Sequence, residues 1–225
     1  MPVKGALRHG GPMDPALGDF SLIETLRYEP QMGFVRLRLH LARLQRSARR
    51  LGFPPPKDAL TKLDAAVVGA NAPLRVRLTF DRAGRTDVMT AAFTPLASDA
   101  IWRVRIAGTR LDSADTLLRV KTTRRSAYEA ARAEYSLAKA EEVLLLNEKD
   151  EVCEGTITSI FLDEGSGPLR TPPISSGLLA GVLRTELICQ RKARVGRIRL
   201  DDLEKGELYV GNSLRGLIRT QLIWN

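Results

Sequence analysis

The stretch that most constrains this chain runs from Glu142 to Leu162, EVLLLNEKDEVCEGTITSIFL. An apolar run, Val143 to Leu146, meets the polar cluster Asn147-Glu148-Lys149-Asp150, and a second β-rich run follows from Val152 to Leu162. That pattern predicts a β-hairpin. Alternation along the second strand puts Glu154, Thr156 and Thr158 on one face with Val152 and Ile160. Cys153, Gly155, Ile157, Ser159 and Phe161 take the other. Glu154 is therefore an acid inside a strand that otherwise reads as half-buried. A buried carboxylate is costly unless a cation or a donor meets it, whereas on an exposed face water suffices. The pattern leaves both readings open, and the question becomes what Glu154 is paired with.

The chain has 225 residues, 44% hydrophobic and 27% charged, which fits a soluble globular protein with a substantial core. No apolar run reaches the length of a membrane span, and the opening MPVKGALRHGGPMDP lacks the apolar segment of a signal peptide. Two cysteines, Cys153 and Cys189, give neither a disulfide framework nor zinc spacing, so a reducing cytoplasm is expected. With two histidines, His9 and His40, no histidine-rich metal site is expected. The net charge of +9 admits nucleic acid, an anionic membrane or small anionic ligands. The arginines are scattered and aromatics are only 5%, so base-stacking platforms are scarce and nucleic acid is disfavoured.

Residues 1–18, rich in Gly and Pro, read as irregular. Strands are expected over Phe20–Tyr28 and Gly33–His40, joined as a hairpin at Glu29-Pro30-Gln31-Met32-Gly33. Leu41, Leu44, Ala48 and Leu51 have helical spacing, so a helix is expected over His40–Leu51, stopped by Gly52 and the Pro54-Pro55-Pro56 run. Asp58 is a candidate cap for a second helix to about Val68. Strands are expected over Leu74–Phe80, from the Asp81–Gly84 turn to Phe93, and over Ile101–Ile106. Gly108–Leu118 has little periodicity and is read as the connection between two α+β halves, residues 1–107 and 119–225. Alanine-rich Ser126–Lys139 and Val182 to about Lys192 read as helices. Glu207–Val210 reads as a strand before the turn Gly211-Asn212-Ser213.

Lys121 follows a strand-like Leu117–Val120. A lysine is ordinarily solvated, but at a strand end it becomes a nucleophile if burial or neighbouring cations such as Arg119, Arg124 and Arg125 lower its pKa. The turn Ser175–Gly181 before a helix leaves the N–H groups of Val182 and Leu183 free, and a helix N-terminus is an anion site. Gly211-Asn212-Ser213 supplies small donors after a strand, and Arg43 lies off the apolar stripe of its helix. Singly, each reads as readily as an ordinary turn or a solvated charge.

Together these stretches resemble the class IV aminotransferases, the fold-type IV pyridoxal-phosphate enzymes. The resemblance rests on HLARLQRSARRLGF (40–53), KTTRRSAY (121–128), EVCEGTITSIF (151–161), TPPISSGLLAGVLR (171–184) and GNSLRGL (211–217), in the family's order. It implies a two-part α+β fold, with a small N-terminal sandwich and a C-terminal pseudo-barrel holding pyridoxal 5'-phosphate between them. Lys121 would form the internal Schiff base. Glu154 would face the pyridine nitrogen, whose protonated form is the cation the acid needs and keeps the ring an electron sink. Arg43, the N–H groups of Val182 and Leu183, and the Asn212-Ser213 turn would bind phosphate. Thr156 and Thr158 would line the cofactor side of the strand. Thr25 would deliver or orient a proton near the substrate, and Tyr128 is left between the cofactor's phenolate oxygen and simple packing. Where the family commonly has Asn, this chain has Ser159.

Within the family, FSLIETLRYEP (20–30) and KTTRRSAY are most similar to the aminodeoxychorismate lyases. This implies a lyase giving 4-aminobenzoate and pyruvate in folate synthesis, with Lys121 as general base. An aminotransferase acting on branched-chain or D-amino acids would use the same Lys121, Glu154 and phosphate grip. A cofactor-free binding protein on the same scaffold is the third reading. The resemblance also implies a homodimer with residues of both subunits near the site and a small anionic amine as substrate.

Overall fold

The computed structural model describes residues 19–224, so the expectations for residues 1–18 lie outside the described residues. The first layer is an antiparallel sheet of β1 (Leu22–Glu29), β2 (Gly33–Phe34), β3 (Leu74–Phe80) and β4 (Thr86–Ala92), in the order β2-β1-β3-β4. Against it lie α1 (Leu37–Arg50) and α2 (Ala59–Ala66). Alternation decides the faces. Leu22 and Leu26 of β1 and Val76, Leu78 and Phe80 of β3 pack with Leu44, Ala48, Phe53 and Leu63. Thr25, Arg75 and Arg77 fall on the opposite face.

The expected strand Gly33–His40 is corrected: only Gly33–Phe34 pairs, and the helix begins at Leu37. The alternation in GFVRLRLH competes with the helical stripe Leu37, Leu41, Leu44, and burial of that stripe against the sheet wins. Arg36, at φ 59°, turns the chain between the two. The second helix begins after Asp58 as expected, but Asp58 does not cap it through its side chain. Its carboxylate instead accepts from Thr86 Oγ1 at 2.5 Å.

The second layer is a curled sheet of eight strands. They are β5 (Ile101–Leu111), β6 (Glu142–Asn147), β7 (Val152–Gly155), β8 (Ser159–Asp163), β9 (Leu169–Thr171), β10 (Ala193–Val195), β11 (Glu207–Asn212) and β12 (Gly216–Leu222). Their order is β10-β9-β8-β11-β12-β5-β6-β7. Val104, Leu144, Val152, Ile160, Leu162, Val210 and Ile218 form a buried core along it. α3 (Ser126–Ala133) packs Ala131 with Val143 and Leu145, and α4 (Val182–Cys189) packs Leu183 and Leu187 with Phe161, residues that alternate with the first set along their strands. The strand β5 straddles the sequence-predicted boundary at residue 107 and pairs on both sides within this second sheet.

Several boundaries move for identifiable reasons. β5 runs on to Leu111 through a shift in pairing between Ile106 and Arg110, so Gly108–Leu111 is strand rather than connection. Leu117 and Leu118 sit in a short 3₁₀ turn, Thr116–Arg119, not a strand. α3 stops at Ala133 because Glu134 accepts the Gly108 and Thr109 N–H groups at 2.6 and 2.8 Å, tying the chain to β5. α4 ends at Cys189, and Arg191 just beyond it takes φ 59°. The hairpin of β6 and β7 forms as expected, but the single strand Val152–Leu162 is corrected. The chain leaves β7 at Gly155, turns through Thr156–Thr158, and re-enters the sheet as β8, paired with β11.

Candidate active site

The turn has a cause that the sequence reading missed. Glu142, wholly buried at the start of β6, accepts from Val143 N (2.8 Å), Thr156 N (3.0 Å), Thr156 Oγ1 (2.5 Å), Ile157 N (3.1 Å) and Thr158 Oγ1 (2.8 Å). A carboxylate can accept this many bonds because both its oxygens carry free lone pairs. The chain wraps around that acid, and Gly155 is required there: a Cβ would meet Glu142 Oε2 at 2.7 Å. Thr156 and Thr158 thus line the cavity with their hydroxyls donated to Glu142, a correction to the reading that put them beside Glu154 on one continuous strand.

A cavity of about 310 Å³ opens between the two layers. Lys121 and Glu154 both line it, as does Thr25 of β1. Lys121 stands at the seam, where Ile23 N–H donates to Lys121 O at 2.9 Å and Thr123 N–H to Ser21 O at 2.9 Å. Burial, then the charges of Arg43 and Arg125, lower the Lys121 ammonium to about 8. Among the described residues its Nζ has no hydrogen-bond or ion-pair partner.

Glu154 is buried in β7. Tyr128 Oη donates to its Oε1 at 2.7 Å, and Leu179 N–H donates to the same oxygen at 3.2 Å. Burial still wins and pushes the acid up to about 7. The Tyr128 phenol is itself pushed up by burial and by Glu154, so it stays a donor. The Tyr128 hydroxyl is therefore on the acid, a contact that neither sequence-based reading of this residue included. The cavity therefore holds a half-buried lysine and a buried acid that form no ion pair with each other. Oε2 of Glu154 accepts no hydrogen bond among the described residues. A cationic ring nitrogen suits that oxygen, and an aldehyde suits the free amine, so the residues present fit pyridoxal phosphate.

Val182 and Leu183, Asn212 and Ser213, and Arg43 also line the cavity. Val182 opens α4 after Gly181, and a Cβ on Gly181 would collide with Ser159 Oγ. The Asn212 side chain shapes its turn, accepting Leu214 N at 3.1 Å and Arg215 N at 3.0 Å. Arg43 is buried, not solvated. Its Nε and Nη2 form a fork on Glu24 at 2.8 and 2.5 Å, and its Nη1 reaches Ala180 O at 3.4 Å. Glu24 is a second missed acid, although it sits between Leu22 and Leu26 on the buried stripe of β1. Burial raises its pKa, but Arg43 and His40 outweigh that and hold it at about 2. His40 Nδ1 lies 2.6 Å from Glu24 Oε2, and His40 Nε2 lies 2.8 Å from Ser213 Oγ.

Cations dominate the remaining wall. Arg75, Arg77, Arg124, Arg125 and Arg215 line it, and none has an ion-pair partner among the described residues. Arg125 donates to Thr156 O and lies over the Tyr128 ring at 4.6 Å. Burial, then Arg75, lowers Arg215. No group of three or more metal-ligating side chains occurs among the described residues, and no helix among them is long and apolar enough to cross a membrane.

A sheet-and-helix layer facing a curled half-barrel, with a lysine and an acid in the cavity between, defines the fold-type IV class of pyridoxal-phosphate enzymes. The amino-transferase class IV family matches residues 21–223, and the chain belongs to that family. Among solved structures it is similar to a candidate amino-acid aminotransferase from Mesorhizobium loti, at 48% identity over 91% of this chain and 100% of that one, with a TM-score of 0.89. A candidate 4-amino-4-deoxychorismate lyase is 29% identical over 96% of this chain and 93% of that one, with a TM-score of 0.77. The 4-amino-4-deoxychorismate lyase from Pseudomonas aeruginosa shares the fold, at 24% identity over 97% and 89% of the two chains and a TM-score of 0.76. No curated protein matches the chain.

Proposed function

We propose that this chain is a pyridoxal-phosphate-dependent lyase converting 4-amino-4-deoxychorismate to 4-aminobenzoate and pyruvate, as a step of folate synthesis in the cytoplasm. The observation that carries the cofactor is the unpartnered Lys121 and the cation-less Glu154 in one cavity. Lys121 would hold the cofactor covalently, and Glu154 would keep its ring nitrogen protonated. The N–H groups of Val182 and Leu183, the Asn212-Ser213 turn and Arg43 would hold its phosphate. Thr156 and Thr158 belong to the wall beside it. When bound, the cofactor supplies an electron sink for a carbanion next to the substrate amine.

The rest falls to the chain's own groups. The Lys121 amine, at about 8, is deprotonated often enough near neutral pH to take the proton from the amine-bearing carbon. Thr25 lies on the cavity wall opposite Arg77 in the strand register and would orient the proton returned to the leaving enolpyruvyl fragment. Arg75, Arg77 and Arg215 suit a substrate carrying two carboxylates.

One observation favours a second reading: the relative at 48% identity is a candidate aminotransferase. A single assay separates the two. Purified protein given 4-amino-4-deoxychorismate should release 4-aminobenzoate with no keto acid present. Turnover that depends on 2-oxoglutarate would instead establish an aminotransferase. Borohydride reduction of the holoenzyme should place the label on Lys121, and a protein with no absorbance band from that attachment would have neither activity.

A further inference from the structure

The chain Glu24–His40–Ser213 has the order and spacing of a proton relay, and the phosphate grip alone does not use it. Glu24 is ionised and can only accept, so the proton between it and His40 belongs to Nδ1. A neutral His40 then has a bare acceptor at Nε2, 2.8 Å from Ser213 Oγ. Ser213 is buried, and its hydroxyl hydrogen must point at His40. In that state Ser213 offers the cavity only lone pairs, the wrong polarity for an anion. One added proton on Nε2 reverses this. His40 becomes a donor at both nitrogens, Ser213 Oγ accepts from it, and the Ser213 hydrogen is freed toward the cavity.

The charges facing His40 set when this happens. Burial lowers His40 most, and Glu24 of β1 works against it by favouring the imidazolium; Arg43 of its own helix and Lys121 across the seam add to the lowering, so the neutral ring is favoured. Arg36 Nη1 donates to Ser213 O at 3.2 Å, but Glu186 of α4 takes its Nε at 2.6 Å. An anion at the start of α4 would add the missing negative charge. We propose that Glu24 and His40 are positioning residues for Ser213: arrival of a phosphate monoester at α4 draws a proton onto His40 and converts the Ser213 hydroxyl from acceptor to donor. This rests on the cofactor reading given above and adds that phosphate binding there is coupled to proton uptake.

The chain has two histidines, so ring-labelled protein without a histidine tag gives two imidazole signals, and His40→Gln identifies one of them. Titration from about pH 5.5 to 8.5 should find His40 neutral in the ligand-free protein. Saturating inorganic phosphate, and separately pyridoxal phosphate, should raise its midpoint by about one pH unit or more. Calorimetry in two buffers of different ionisation enthalpy should record more proton uptake by the wild type than by His40→Gln, at most about half a proton for a shift of one pH unit. Ser213→Ala should weaken pyridoxal phosphate binding about tenfold and flatten its pH dependence, with Ser213→Thr restoring both. A His40 signal unmoved by saturating ligand, or equal proton uptake in wild type and His40→Gln, overturns the relay. The absorbance of the Lys121 adduct, read in the same samples, tests the cofactor reading separately. If the band forms while His40 stays neutral, only the relay fails. If it is absent while phosphate still moves His40, only the cofactor reading fails.

Discussion

At the scale of single residues, the cavity brings Lys121 and Glu154 together without pairing them, while Arg43 and His40 on its wall are held by Glu24. Glu154 ionises at about 7 in the folded chain against an ordinary value of 4.5. Between those values the unfolded state gives up its proton first. Stability is therefore fully present below pH 4.5 and is lost as pH rises toward 7, by about 3 kcal/mol from this group. Cofactor-free Glu154→Gln should lack that loss, and thermal melts across this range check it. Lys121, lowered from 10.5 to about 8, has the opposite dependence: its stability contribution is present above pH 10.5 and is lost as pH falls through 8. Lys121→Met should stabilise the ligand-free protein at pH 7 by at most about 3 kcal/mol, since part of the side chain still faces the cavity, while abolishing cofactor attachment. A higher melting temperature together with a lost absorbance band is the expected pair of results.

At the scale of elements, the corner between β7 and β8 is built on Glu142. Glu142→Gln replaces one accepting oxygen with a donor that faces other donors, and should destabilise the fold by about 3 kcal/mol, read as a lowered denaturation midpoint. At α4, Gly181→Ala forces a side chain into Ser159 Oγ. It should weaken pyridoxal phosphate binding about tenfold or more, measured by dialysis against absorbance, with little change in overall helix content. The same elements mark what could be read from the chain. Strand alternation raised the question of what Glu154 is paired with, and the resemblance of EVCEGTITSIF to the family supplied the answer. Glu24 and Glu142 were open to the same argument but went unread, since their partners lie far along the chain: Arg43 nineteen positions away for the one and Thr156 fourteen for the other. Alternation also ran past its domain at Thr156–Thr158. Nothing local distinguishes TIT continuing a strand from TIT wrapping a carboxylate held on β6.

For the whole molecule, layer order and the gathering of Thr25, Lys121, Glu154, Val182 and Ser213 on one cavity follow from motif order, because each block supplies one wall. The balance between walls does not follow, since it depends on how β1 meets the segment around Lys121. Arg36 ties α1 to α4 through Glu186 and to the turn at Ser213. Arg36→Ala should loosen this junction, seen as faster amide exchange at the start of α4 while the core of the curled sheet keeps its protection. Light scattering should give twice the chain mass of 24.8 kDa if the working unit is the homodimer expected of this family.

The corner at Thr156–Thr158 carries a last implication. The chain crosses from one edge of the curled sheet to a strand on its far side within those residues, with both ends hydrogen-bonded and the middle clamped on a single acid. Such a span has no slack. Length variation among relatives should therefore gather in the β8–β9 and β9–α4 links and be missing here, and one inserted residue should pull Glu154 out of the cavity without removing any atom of it.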